Sequence, residues 1–268
     1  MCHEAMQDTP FTYACSVDAK SSQSPNASLF TLESMQFFGR VASDYEAMFA
    51  IRLAELSGKH VLDCPSGPSS FVSEANAVGV HAIGVDPLYD QPLEVLLQRG
   101  AADVDYTMAR MGDNSSEFGD VNLQAYASSK LQAMIRFARG FEQGKANGVY
   151  RAAQLPNLPF ADGAFDLVLS GHLLLTYSSP ESGGILPNSD FSLAWHVEAV
   201  MELVRVCRGE VRLYPTTTRW KTPCRHPYAE AIAEHCTSRG MRVRYEPSSF
   251  ARGHHVHDAL NACMVISR

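Results

Sequence analysis

The sequence predicts a doubly wound α/β fold, and two stretches carry that expectation. The first is Lys59–Tyr89, KHVLDCPSGPSSFVSEANAVGVHAIGVDPLY. An apolar run ends at Asp63, a loop of small residues follows (Cys64, Pro65, Ser66, Gly67, Pro68, Ser69), and a second apolar run, His81–Val85, ends at Asp86. Between them Ser69 or Ser70 caps a short helix, and Gly79 stops it. The second stretch is FDLVL, Phe165–Leu169. Apart from Asp166 it is apolar, as a strand covered on both faces is, and such strands belong to parallel sheets flanked by helices. Open parallel sheets bind ligands at the carboxyl ends of their strands.

The loop narrows the ligand. Gly67 lets the backbone approach a bound group closely. Asp86 follows Gly67 by 19 residues, the spacing at which an acid meets both ribose hydroxyls. Yet G-x-G-x-x-G is missing, and Pro65 and Pro68 remove two backbone N–H donors. A pyrophosphate is held by such donors at a helix N-terminus. A ligand with ribose and adenine but no phosphates fits better, and S-adenosylmethionine is the obvious one.

A third stretch joins these, LPNLPFADGAFDLVLSGHLLL, Leu155–Leu175. It is similar to the L-P-F-x-D-x-x-F-D-x-V segment of small-molecule methyltransferases. Lys59–Tyr89 resembles motif I and the acidic second-strand motif of class I S-adenosylmethionine-dependent methyltransferases. The two matches stand in the right order and cover roughly residues 59–178. The resemblance implies a Rossmann-like seven-stranded, mostly parallel sheet with helices on both faces and the last strand antiparallel. It implies S-adenosylmethionine as cofactor and a small-molecule methyl acceptor as partner. It also implies roles. Asp63, Cys64, Pro65, Ser66 and Gly67 hold the amino-acid end, and Asp86 holds the ribose with Pro87 against the adenine face. Gln154 and Leu155 take the adenine edge, although the family often has an acid where Gln154 stands. Ser170 and Gly171 lie under the methionine portion. His172 and Tyr177 are the catalytic or substrate-orienting candidates. Arg40, on an N-terminal lid, pairs with the methionine carboxylate.

The chain in order then reads as follows. Residues 1–55 form a flexible N-terminus and lid helices, with Met1–Ser28 a polar flap. Ser34 caps a helical pattern of Phe37, Phe38, Val41, Tyr45, Met48 and Phe49 that Gly39 splits in two. Residues 56–268 form the main domain. Leu93–Arg99 is a short helix ended by Gly100, and Tyr89 stacks on the adenine side. Residues 104–147 form an inserted helical cap, including a helix over Phe118–Gly140. Gly148–Ala153 is the third strand. Ser178–Asn188 is a Gly/Pro/Ser gate. Asp190 caps a helix over Phe191–Val206 that Gly209 ends, with His196 structural. Glu210–Tyr214 is the fifth strand, His226–Arg239 a helix, and Met241–Tyr245 and Ala262–Ser267 the last strands.

Composition excludes some partners. The net charge is −7, which opposes a nucleic-acid backbone. Residues 201–268 hold 11 basic against 6 acidic side chains, leaving open a solvated face or a rim for an anionic substrate. The chain has 7 cysteines at irregular spacing and no CxxC, as expected of a reduced, cytoplasmic protein. No run is long and apolar enough to span a bilayer. No metal is expected. His254, His255 and His257 match no zinc spacing, and Ser66 and Ser69 do not form G-x-S-x-G. Two alternatives stay open: a non-catalytic cofactor-binding protein of the same fold, and an NAD(P)-dependent oxidoreductase.

Overall fold

The computed structural model describes residues 30–118, 121–250 and 260–268. The expected flap Met1–Ser28 and the histidines 254, 255 and 257 lie outside them. Seven strands form one sheet in the order β3-β2-β1-β4-β5-β7-β6. They are β1 (His60–Asp63), β2 (His81–Val85), β3 (Tyr150–Arg151), β4 (Phe165–Gly171), β5 (Cys207–Tyr214), β6 (Arg242–Pro247) and β7 (Ala262–Ser267). Strands β1 to β5 pair in parallel. β7 runs antiparallel between β5 and β6, as expected. β1 lies between β2 and β4, so the strand order reverses there and a crevice opens at the carboxyl edge.

Side-chain alternation along the strands builds two cores. Leu62 and Val168 join one, and Val61, Leu167 and Leu169 the other. Helices α6 (Leu193–Val206) and α7 (Pro227–Ser238) cover the first face. Helices α1 (Ala42–Phe49), α2 (Phe71–Ala77) and α5 (Leu123–Ala146) cover the second. In α5 the buried positions Ala133, Phe137 and Phe141 recur at helical spacing. Each of those phenylalanines stabilises the fold by about 1.5–3 kcal/mol through burial. Leu131 and Ile135 of the same helix are exposed.

Several boundaries differ from expectation. Helix α3 runs Leu93–Asp113, straight through Gly100. That glycine is a contact, not a stop: a Cβ there would meet Met134 Sδ at 2.6 Å and Phe37 O at 3.1 Å. Residues 34–40 are not helical. The Phe37 N–H donates to Asp103 Oδ2 (2.6 Å) and the Gln36 N–H to the Tyr177 hydroxyl (3.1 Å), so tertiary partners replace helical ones. Ser192, rather than Asp190, caps α6, accepting from Trp195 N. Gly209 lies within β5, where its missing Cβ admits Asp166 O of β4. The helix predicted over Phe118–Gly140 is α5, preceded by the single turn α4 (Ser115–Phe118).

A third apolar cluster caps the carboxyl edge. It joins Phe30 and Leu32 of the N-terminal strap to Met111, Phe118, Tyr177 and Ile185. The expected gate 178–188 is packed against this cluster: Ile185 O accepts from Leu32 N (2.9 Å), and buried Ser178 bonds His226 Nε2 (3.0 Å). His226 Nδ1 accepts from Tyr228 N, so Nε2 carries the proton and donates to Ser178 Oγ. Burial lowers the His226 pKa to about 3. This serine–histidine pair is therefore a structural clasp.

Candidate functional site

A cavity of about 1150 Å³ opens at the carboxyl edge, under the strap and the cap. Its floor begins in the loop after β1. Ser66 N–H donates to Val85 O (2.8 Å), which ties the loop to β2. Gly67 has φ 54°, left-handed backbone that suits glycine. The Gly67 N–H donates to Asp86 Oδ2 (3.1 Å), and the Leu88 N–H donates to Oδ1 (3.0 Å). Asp86 thus caps the 3-10 turn Pro87–Asp90 while its carboxylate faces the cavity. Burial raises its pKa to about 6, against the two N–H donors that favour the charge.

The strap closes one side. A Cβ on Gly39 would lie 2.2 Å from Ser69 N, so only glycine passes here. Ser69 Oγ accepts from Arg40 N (3.1 Å), and Ser70 N–H donates back to Arg40 O (3.0 Å). The Arg40 guanidinium lines the cavity, and its Nε is buried without a hydrogen-bond partner. Arg99 and Asp103 of α3 hold the strap from behind. Asp103 takes the Phe37 N–H, while Arg99 pairs with Asp103 (2.8 Å) and donates to Met35 O.

Most residues predicted for the site converge on it. Arg40, Cys64, Pro65, Ser66, Gly67, Asp86, Pro87, Gln154, Leu155, Gly171, His172 and Tyr177 line the cavity. Asp63 and Ser170 do not. Both are buried one layer behind the wall, at the ends of β1 and β4. Asp63 Oδ2 accepts from the Tyr45 hydroxyl (2.8 Å), and Oδ1 has no partner. Burial pushes the Asp63 pKa up to about 7; the nearby Ser66 hydroxyl and the Tyr45 bond oppose this, and the Asp86 charge adds to it. Tyr89, expected to stack on an adenine, does not line the cavity. It is fully buried, stacks on Phe137 at 5.8 Å, and donates to Gly67 O (2.5 Å), bracing the loop from below.

His172 follows β4 with φ 60°, and its N–H donates to Tyr214 O (2.7 Å). A non-glycine residue held there is strained and over-determined by its surroundings. Tyr177 is buried, and its pKa is pushed up to about 12 by desolvation. His196 is structural as expected: Nδ1 donates to Ser192 O (2.8 Å) and Nε2 accepts from Leu175 N (3.3 Å).

Lys130 of α5 was not foreseen. It lines the cavity at 3% exposure. Its signal was its place on the helix, three residues before Ala133 and seven before Phe137 on the buried face. Among the described residues no group of His, Cys, Asp and Glu converges to hold a metal, and no helix is long and apolar enough to cross a membrane. Cys64, Cys207, Cys236 and Cys263 are buried free thiols.

No protein-family model and no curated protein matches this chain. Solved structures do. A SAM-dependent methyltransferase from Aquifex aeolicus is 13% identical over 83% of this chain and 90% of its own, at TM-score 0.37. A SAM-dependent methyltransferase from Thermotoga maritima is 14% identical over 84% and 93%, at 0.33. The [4+2]-cyclase SpnF is 16% identical over 80% and 77%, at 0.37. A functional reading rests on this chain's own residues.

Proposed function

We propose that this chain binds S-adenosylmethionine and catalyses methyl transfer to a small-molecule O, N or C nucleophile. One observation carries the reading. The Asp86 carboxylate and the Gly67 backbone face one cavity at the point where the strand order reverses, in a loop whose prolines leave too few donors for a pyrophosphate.

The residues fit the cofactor part by part. Asp86 accepts both ribose hydroxyls. Gln154 offers a carbonyl to the adenine amino group, and Leu155 offers its N–H to the ring, with Pro87 against the face. The Cys64–Gly67 loop surrounds the amino-acid end. Asp63, behind it, supplies negative charge toward the methionine ammonium, which relieves the raised pKa that burial imposes. Arg40, with its unpartnered Nε, takes the methionine carboxylate.

S-adenosylmethionine supplies a methyl carbon already activated by the sulfonium, and S-adenosylhomocysteine remains after transfer. The chain's contribution is orientation and exclusion of water. Gly171 leaves room beside the methionine portion. His172 faces the acceptor and takes its proton where the nucleophile needs a base. Tyr177 stays protonated and forms part of the acceptor wall while holding the strap through Gln36 N. The setting proposed is the cytosol, which the buried free thiols Cys64, Cys207, Cys236 and Cys263 favour.

A crystal structure with S-adenosylhomocysteine tests the site. The reading requires both ribose hydroxyls within hydrogen-bond distance of Asp86. A ribose bound elsewhere sinks it.

A further inference from the structure

We propose that the methyl acceptor is an organic anion with an apolar body, whose carboxylate is received by Lys130. The inference rests on the cofactor reading above and adds the class of acceptor to it. Lys130 is almost fully buried, lines the cavity, and has no ion pair or hydrogen bond among the described residues. Its ammonium lies over two rings, 5.0 Å from the centroid of Tyr126 and 5.6 Å from that of Phe38. Rings offset part of the desolvation of a cation, not all of it. Burial accordingly depresses the Lys130 pKa well below its ordinary value; Arg40 pushes it the same way and Asp44 opposes. An incoming anion restores what burial removes.

Charge balance favours an acceptor group over the cofactor as that anion. Arg40 and Lys130 share one region of the cavity. Asp44 and Asp86 are the described carboxylates on its wall, and Asp86 is engaged by Gly67 and Leu88. The cofactor brings one carboxylate with two positive centres, its ammonium and its sulfonium. Arg40 is fixed to the β1 loop through Ser69 and Ser70, on the cofactor side. Lys130 is carried by α5, and its ammonium lies between the Tyr126 ring of that helix and the Phe38 ring of the strap. Tyr126, which the ammonium covers, packs in one apolar cluster with Met111, Ile185 and Phe191, all of which line the cavity, so an apolar body fits beside the charged group.

The test uses 2-naphthoate and its neutral isostere 2-naphthamide, titrated by calorimetry into protein saturated with S-adenosylhomocysteine. The wild type is expected to bind the acid at least tenfold more tightly than the amide. Lys130→Met is expected to erase that preference, and Lys130→Arg to keep it, with S-adenosylhomocysteine affinity within twofold of wild type in both. Equal binding of acid and amide by the wild type, or binding of neither at millimolar concentration, overturns the proposal. A tenfold loss of S-adenosylhomocysteine affinity in Lys130→Met also overturns it, since the lysine would then serve the cofactor's carboxylate. Failure of the wild type to bind S-adenosylhomocysteine at all refutes the cofactor reading, a separate outcome.

Discussion

Asp63 gives the sharpest quantitative expectation. Its carboxyl is fully buried, one oxygen holds the Tyr45 hydroxyl, and the other holds nothing. Burial raises its pKa from 3.8 to about 7. Between those values the folded protein keeps a proton that the unfolded chain has released. Stability therefore falls as pH rises through that window. The loss is ~4 kcal/mol once pH is well above 7 and about 1–2 kcal/mol at pH 5. Asp63→Asn keeps an oxygen for Tyr45 and removes the titration. The ligand-free variant should thus gain about 2–3 kcal/mol more, relative to wild type, at pH 8 than at pH 5. For a chain of this size that is roughly 4–12 °C in the difference between the two melting-temperature shifts. Thermal melts at both pH values, without ligand, read it directly. Equal shifts at pH 5 and pH 8 would refute the reasoning. The same variant should bind S-adenosylmethionine more weakly, because in the proposed complex the charge that destabilises the empty protein attracts the methionine ammonium from behind the wall.

Other expectations follow from the same geometry. Asp86→Ala removes the ribose acceptor and should weaken S-adenosylhomocysteine binding by ~1–3 kcal/mol, as calorimetry would measure; unchanged affinity contradicts the ribose assignment. Wild-type affinity should drop as pH falls below about 6, since a protonated Asp86 accepts one hydroxyl poorly, and a flat profile from pH 5 to 8 would count against that. Gly39→Ala drives a Cβ into the Pro68–Ser69 backbone. It should lower stability by ~1–3 kcal/mol and raise the proteolytic sensitivity of the strap; a variant as resistant as wild type contradicts the close contact.

The sheet was legible because its strands obey local rules. The runs ending at Asp63 and Asp86 and the FDLVL segment are short, apolar and bounded by turn residues, and each became a strand. Residues whose role depends on distant partners were harder to read. Gly100 has the look of a helix stop, yet it lies inside α3 because Met134 and Phe37 approach it from 34 positions later and 63 positions earlier. Residues 34–40 carry helical spacing, but Asp103 and Tyr177 take their N–H groups. Tyr89 follows Asp86 closely in sequence, and the 3-10 turn after Asp86 rotates it into the core. Asp63 and Ser170 belong to the predicted motifs, but strand alternation turns them behind the wall. A lone cation in a cap helix reads as solvated; only the packing of α5 against the strap buries Lys130.

The central claim is that this cavity holds S-adenosylmethionine. Calorimetric titration of the purified chain with S-adenosylmethionine, S-adenosylhomocysteine and NAD tests it most directly. The account predicts saturable micromolar binding of the first two and none of NAD. Binding of NAD with neither adenosyl compound would contradict it.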